Sequence, residues 1–275
     1  MKKRLILAGI VLMVGIVIAL FLRFVNSHGQ DALMLSGNVE VTEVNLGFKV
    51  AGRVQRLFTD EGRAVAQGDR IAALDSAELE SLVNQNKASV RNAEAQLEKA
   101  RKDHDRFTTL YRDGVIASQQ MDATKAAYDA ATSQLQLSRA ALRTSAVRLK
   151  DSVVYAPLHG VVLKKNVEEG ETVAAGEPVM TIGDLKNPWV KVYIKEDNLG
   201  FIKLGQKAEV QVDSFPGKKY EGTITYISSE AEFTPRTVQT REERVKLVFG
   251  VKVNVKNQHA ELKPGMPADV KILLK

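Results

Sequence analysis

The chain has 275 residues, 44% of them hydrophobic, which is enough for more than one domain with its own core. It has no cysteine, so disulfides and thiolate-bound metals are excluded. Of the 39 Lys and Arg residues three sit at positions 2–4, and the rest are balanced by 33 Asp and Glu, which excludes the basic face of a nucleic-acid-binding protein.

Leu5–Leu22 carries no charge, and it follows Lys2, Lys3 and Arg4. A helix of that length is at the short end of what crosses a hydrocarbon core of about 30 Å. The basic cluster stays on the cytoplasmic side, so the remaining chain faces outward. Residues 1–25 are therefore read as a membrane anchor or signal segment. An uncleaved single-pass anchor is preferred over a signal peptide because no A-x-A-like cleavage site follows the run. Either way the bulk of the chain lies in the periplasm.

From Leu35 the pattern alternates as in β-strands, through Val39, Val41 and Val44 to Leu46 and Phe48. Strands are expected near Gly52–Thr59 and Arg70–Leu74. A repeat is also visible here. Asp60–Asp69 (DEGRAVAQGD) returns as Glu168–Glu177 (EEGETVAAGE), and Gly52, Gly62 and Gly68 return as Gly160, Gly170 and Gly176, at a constant offset of 108 residues. These six are assigned as turn glycines of one small β domain in two halves, residues 35–74 plus 152–183. The charged runs at Asp60 and Glu168 are read as solvated turns.

Residues 75–151 separate the halves. Asp75 and Glu78 have capping-box spacing for a helix from Ser76 to about Arg112. Val83, Val90, Leu97, His104 and Tyr111 recur every seven residues on this helix. On a second helix, Ser118 to about Lys150, so do Met121, Tyr128, Leu135, Leu142 and Leu149. Gly114 marks a short turn, so the prediction is an antiparallel coiled-coil hairpin with arms of roughly 50 Å. Its narrow, Ala- and Ser-rich seam suggests support from neighbouring copies. Residues 184–275 read as a small antiparallel β-barrel, to which residues 35–45 could contribute. Its longest alternating strand is Val245–Val255, and Ser229–Arg244 reads as a loop. The fold class is thus α+β and elongated: a transmembrane helix, a split β domain interrupted by a helical hairpin, and a barrel.

This order of parts resembles the HlyD-type periplasmic adaptor, or membrane fusion protein, family. The split glycine repeat carries the resemblance, with Pro188–Glu196 (PWVKVYIKE), Asp213–Lys218 (DSFPGK) and Leu262–Val270 (LKPGMPADV). Glu230–Thr240 (EAEFTPRTVQT) is similar to the branch that serves ABC-type exporters. The resemblance implies a lipoyl-like (barrel-sandwich hybrid) split domain and no enzymatic activity or cofactor. It also implies a homo-oligomeric ring, commonly six-fold, that links an inner-membrane ABC-type exporter to a TolC-type outer-membrane channel. Many relatives add a membrane-proximal domain after the barrel; here the chain stops at Lys275, and that domain is expected to be absent.

The family's docking pattern at the hairpin tip is Arg, Leu four residues on, Ser seven later and Asp five further. Arg106, Leu110 and Asp122 fit it, while the serine position falls on Ala117 with Ser118 one residue later. Val115 and Ile116 add apolar surface. Each residue also has a plainer reading: Arg106 as a solvated helix charge, Leu110 as coiled-coil packing, Ser118 as an N-cap and Asp122 as a first-turn complement to the helix dipole. The N-cap and dipole readings are preferred for Ser118 and Asp122. His104 is read as a packed seam residue, and the other histidines have no ligand spacing. A lipoyl or biotinyl carrier presents its lysine where the helices are inserted here, so a carrier role is set aside. No phosphate-binding loop or catalytic constellation is present.

Overall fold

The computed structural model describes residues 32–233 and 247–274. The anchor segment 1–25 lies outside the described residues, as does most of the Ser229–Arg244 loop. Among the described residues no helix is long and apolar enough to cross a membrane. The chain divides into two compact units: residues 43–183, and a discontinuous unit formed by the segments on either side of them.

Strand β1 (Ala32–Glu40) belongs to the discontinuous unit. The first half of the other unit holds β2 (Glu43–Gly47), β3 (Gly52–Leu57), β4 (Ala64–Val65) and β5 (Arg70–Leu74). The second half holds β6 (Val153–Tyr155), β7 (Gly160–Lys165), β8 (Thr172–Val173) and β9 (Pro178–Gly183). They form two four-stranded sheets, ordered β2-β9-β7-β4 and β6-β5-β3-β8. Each sheet takes strands from both halves. Between them Phe48, Val54, Ile71, Leu74, Val162, Val179, Met180 and Ile182 form a core excluded from water.

The sequence repeat reappears in the ladder registers. In the β3–β8 ladder Gly52 faces Val173, and in the β4–β7 ladder the equivalent residues Gly160 and Val65 face each other. The β3–β5 and β7–β9 ladders carry register irregularities at matching places, Val54/Arg56 and Val162/Lys164. Hydrogen bonds are exchanged the same way. Gly62 N–H donates to Val162 O (2.9 Å) and Gly170 N–H to Val54 O (2.8 Å). Both glycines have positive φ, 76° and 93°, which β-carbon-bearing residues rarely adopt. Gly52 and Gly160 require a correction: they lie in strands, not turns. At Gly160 a neighbouring backbone leaves no room for a side chain, whereas Gly52 meets only a side-chain methyl. A β-carbon on Gly160 would sit 2.6 Å from Gly183 O, and one on Gly52 would sit 3.1 Å from a Leu74 methyl.

The hairpin comprises α1 (Ala77–Arg112) and α2 (Ser118–Lys150). Its root is closed by the Leu74 N–H, which donates to Ser152 O at 2.9 Å. The expected capping box does not form. The helix begins one residue later, with Ser76 as N-cap and no side-chain cap bond. The Asp75 carboxylate accepts the Ala77 N–H (3.2 Å), and Ser76 Oγ donates to Glu80 (2.6 Å), so Glu78 has no part in the cap. Val83, Val90 and Ala93 of α1 and Leu135, Ser138 and Ser145 of α2 are buried along the seam. Tyr111, expected in the seam, is 47% exposed, one residue before α1 ends.

The discontinuous unit adds β10 (Trp189–Lys195), a single-turn α3 (Glu196–Leu199), β11 (Lys207–Val212), β12 (Tyr220–Ile227), β13 (Glu232–Phe233), β14 (Leu247–Val255) and β15 (Pro267–Leu273). The strand order is β10-β1-β15-β11-β12-β14-β13, and a further β10–β14 ladder closes the sheet into a barrel. Val190, Val192, Ile194, Val251, Val253, Val270 and Ile272 are fully buried inside it. Residues 35–42 thus fall with the barrel: Gly37 to Glu40 pair with β10, and Ala32 to Asn38 pair with β15. Alternation predicts a strand but not which sheet it joins.

Candidate functional site at the hairpin tip

The tip is made by the way α1 stops. Asp113 is the C-cap and Gly114 takes φ 71° with open space around it. Gly114 N–H donates to Tyr111 O (3.0 Å) and Val115 N–H to Leu110 O (2.9 Å). This is the paired closure of a helix end that needs a left-handed residue after the cap. It leaves Val115 67% exposed at the apex, with Leu110 and Ile116 half-buried beneath it.

The chain then enters α2 through Ala117, whose extended backbone (φ −76°, ψ 153°) makes it the N-cap. Its carbonyl accepts the Gln120 N–H (3.1 Å). Two expectations are corrected here. Ser118 is the first helical residue and makes no cap bond, and the first turn of α2 holds no acidic residue, so Asp122 lies beyond the reach of the dipole end. Ser118 and Asp122 are both exposed.

Arg106 lies two turns below the apex with its side chain 67% exposed, 3.8 Å from the Asp103 carboxylate one turn earlier. An exposed pair at that distance restrains the guanidinium weakly. Thr108 Oγ1 contacts Met121 Sδ across the seam (3.8 Å), and the His104 and Tyr128 rings stack with centroids 5.4 Å apart. A groove of about 510 Å³ runs beside these residues, with Ala100, Phe107, Ala123 and Ala127 in its walls. The tip thus combines exposed apolar side chains, a solvated cation and a groove between helices. It contains no group arranged for bond chemistry, and among the described residues no cluster of His, Asp or Glu is placed to hold a metal.

The sequence reading missed another feature. Glu61 and Glu169, read as solvated turn charges, each accept a backbone N–H from the opposite half: Lys165 N–H to Glu61 Oε1 and Leu57 N–H to Glu169 Oε1, both at 2.8 Å. The repeat itself held the clue, because the two glutamates are equivalent and so are their two donors.

A split sandwich of two interleaved sheets, a helical hairpin grown from its middle and a closed barrel define a class of adaptor-like architecture. The domain family described as CzcB-like, barrel-sandwich hybrid domain matches residues 42–184, and the CusB-like, beta-barrel domain matches residues 188–274. The chain belongs to the membrane fusion protein, or periplasmic adaptor, family, whose members are non-enzymatic components of efflux systems. It is 31% identical to a UPF0194 membrane protein of Acidithiobacillus ferridurans, over 99% of this chain and 96% of the relative. Its fold is similar to that of the membrane fusion protein Spr0693 from Streptococcus pneumoniae R6. The TM-score is 0.70 at 19% identity, over 88% of this chain and 99% of the other. MacA from Actinobacillus actinomycetemcomitans is similar with a TM-score of 0.66 at 20% identity, over 89% and 79%.

Proposed function

We propose that the chain is the adaptor of a tripartite efflux or secretion system, held in the inner membrane by residues 5–22. It links an ABC-type exporter to a TolC-type outer-membrane channel. The observation that carries this reading is the hairpin tip, where exposed Val115 and solvated Arg106 lie at the far end of arms of 36 and 33 residues. Apolar side chains can pack between channel helices while a guanidinium bonds their carbonyls or carboxylates. Leu110, Ile116, Ala117, Ser118 and Asp122 complete the docking surface. Leu137 and Val147 are exposed on α2, which supports side-by-side packing of hairpins in a homo-oligomeric ring, here taken as six-fold. The ABC assignment rests on the resemblance of Glu230–Thr240, whose residues after Phe233 lie outside the described part. Energy comes from the exporter, and the adaptor transmits it without chemistry of its own.

A second reading pairs the adaptor with a proton-driven pump, since the matching CusB-like and CzcB-like domains do not single out the ABC-associated branch. The chain has no cysteine, so Val115→Cys creates a unique handle. Crosslinking in intact cells is expected to trap an outer-membrane channel from position 115 and not from Cys at Gln85, an exposed position near the hairpin root. Failure to trap any channel overturns the docking role. Co-purification of a proton antiporter without an ATPase overturns the ABC assignment.

A further inference from the structure

The barrel's two rims differ in a way the adaptor role alone does not explain. At one rim β1, β11 and β14 begin and β10, β12 and β15 end, as the antiparallel registers require. Among the described residues of this unit, the exposed large apolar side chains are Met34, Phe201, Leu204, Leu247 and Leu273 at that rim, and Tyr226 near the end of β12. Among the described residues, the turns of the opposite rim, 213–219 and 256–266, carry none. Those turns are closed by polar contacts, including Lys218 with Glu261 at 2.6 Å and the four hydrogen bonds of buried Asn257.

The apolar rim is built, not frayed. Gln206 Nε2 donates to Leu273 O (2.6 Å), and its Oε1 accepts the Lys203 N–H (2.9 Å). Gly205, at φ 81°, donates its N–H to Ile224 O (2.9 Å). These bonds hold Phe201 and Leu204 outward, 59% and 66% exposed, beside the paired ends of β1 and β15. Lys203 and Lys207 flank them with no acidic residue between Gly200 and Lys207, and exposed Glu196 and Asp197 are the acidic groups of the turn before Gly200. The chain reaches this rim from the uncharged run Leu5–Leu22 through residues 23–31, a tether of at most about 30 Å when extended.

We propose that this rim rests on the headgroup region of the membrane that Leu5–Leu22 crosses. Met34, Phe201, Leu204 and Leu273 enter the interface, and Lys203 and Lys207 meet anionic headgroups. Exposed apolar side chains flanked by lysines are the composition that partitions into a bilayer interface. The tether joins the chain at this rim, so this rim sits nearer the lipid than the polar one, which only a tether running back alongside the barrel would bring to the membrane. The inference rests on the membrane-anchor reading and on no property of the hairpin.

The test uses the full chain in vesicles whose acyl chains carry bromine as a contact quencher. A fluorophore is attached at Leu204→Cys or, for reference, at Gln258→Cys on the opposite rim. Quenching is expected at position 204 and not at 258, stronger with phosphatidylglycerol than with phosphatidylcholine alone, and lost on adding Met34→Ser and Phe201→Ser while the protein still floats with the vesicles. A floating protein with equal quenching at both positions, or with none at 204, overturns the proposal. Self-quenching between labelled chains without lipid quenching assigns the rim to a second copy and also overturns it. Failure to float overturns it together with the anchor, whereas the crosslink from position 115 reads the channel contact separately.

Discussion

Glu61 and Glu169 occupy equivalent positions, and each satisfies a backbone amide of the other half of the sandwich. Their carboxylates act as clips between segments more than 100 residues apart in sequence. A carboxylate–amide bond in a partly solvated setting contributes about 1 kcal/mol, whereas an ordinary surface glutamate contributes close to nothing. Glu61→Ala and Glu169→Ala are therefore each expected to lower stability by about 1 kcal/mol, and by similar amounts, in denaturant unfolding. Loss in only one variant would show that the two halves do not share the load. Ala117 is a contrasting residue. It fills the N-cap with no side-chain acceptor, so the start of α2 is set by the turn at Gly114 and not by capping chemistry.

Among the elements, legibility in the sequence followed the range of the interaction. The seven-residue period of the hairpin was plain, and Val83, Val90 and Leu135 are buried where it places them. Helix ends were not, because a cap is one local preference among several: Ser118 offered an acceptor one residue too late for the path the chain takes from Gly114. The partners of β1 and of the two glutamates could not be read, since alternation and surface charge look the same whatever lies opposite. At the tip the residue types were legible, but not that Val115 forms the apex while Leu110 lies half under it. The barrel turns show the same limit. Lys218 and Tyr220 both bind Glu261, tying the β11–β12 turn to the loop before β15. The Lys218 ammonium first, then the Tyr220 hydroxyl, hold the Glu261 carboxyl below its ordinary value of 4.5. Burial first, then the bond to Glu261 and its charge, push Tyr220 up to about 12 from 10.0. A depressed carboxyl stabilises the fold above its ordinary value and loses that contribution as pH falls through the folded one. A raised phenol stabilises below its ordinary value and loses that contribution as pH rises through the folded one. The barrel's thermal stability should therefore fall below pH 4.5 and between 10.0 and about 12. Glu261→Gln should reduce the acid loss and Tyr220→Phe the alkaline one. Unchanged profiles in both variants would show that this triad does not anchor the loop.

Across the whole molecule, one unit is inserted in another, and a hairpin is inserted in that. Asp184 N–H donates to Thr42 O at 3.0 Å, so the two chain crossings into the barrel unit are already adjacent. Among the described residues the buried cluster of the barrel is made of side chains from Val39 and residues 190–272. Residues 32–42 joined to 184–274 by a short glycine linker are expected to fold and to unfold cooperatively, as followed by circular dichroism. A non-cooperative transition would show that the barrel depends on the sandwich.

The hydrogen bond closing the hairpin root, Leu74 N–H to Ser152 O, carries a related consequence. Beyond Asp75 and Asp151, which also bind Arg53 and Lys49 of the sandwich, the arms can change in length without breaking the ladders on either side of the root. Removing one heptad from each arm keeps the seam in phase, leaves the apex intact and shortens the reach by about 10 Å. Span is therefore an adjustable quantity in this architecture: paired insertions or deletions in the two arms can retune it to a different gap, while the sheets at the root keep the same register.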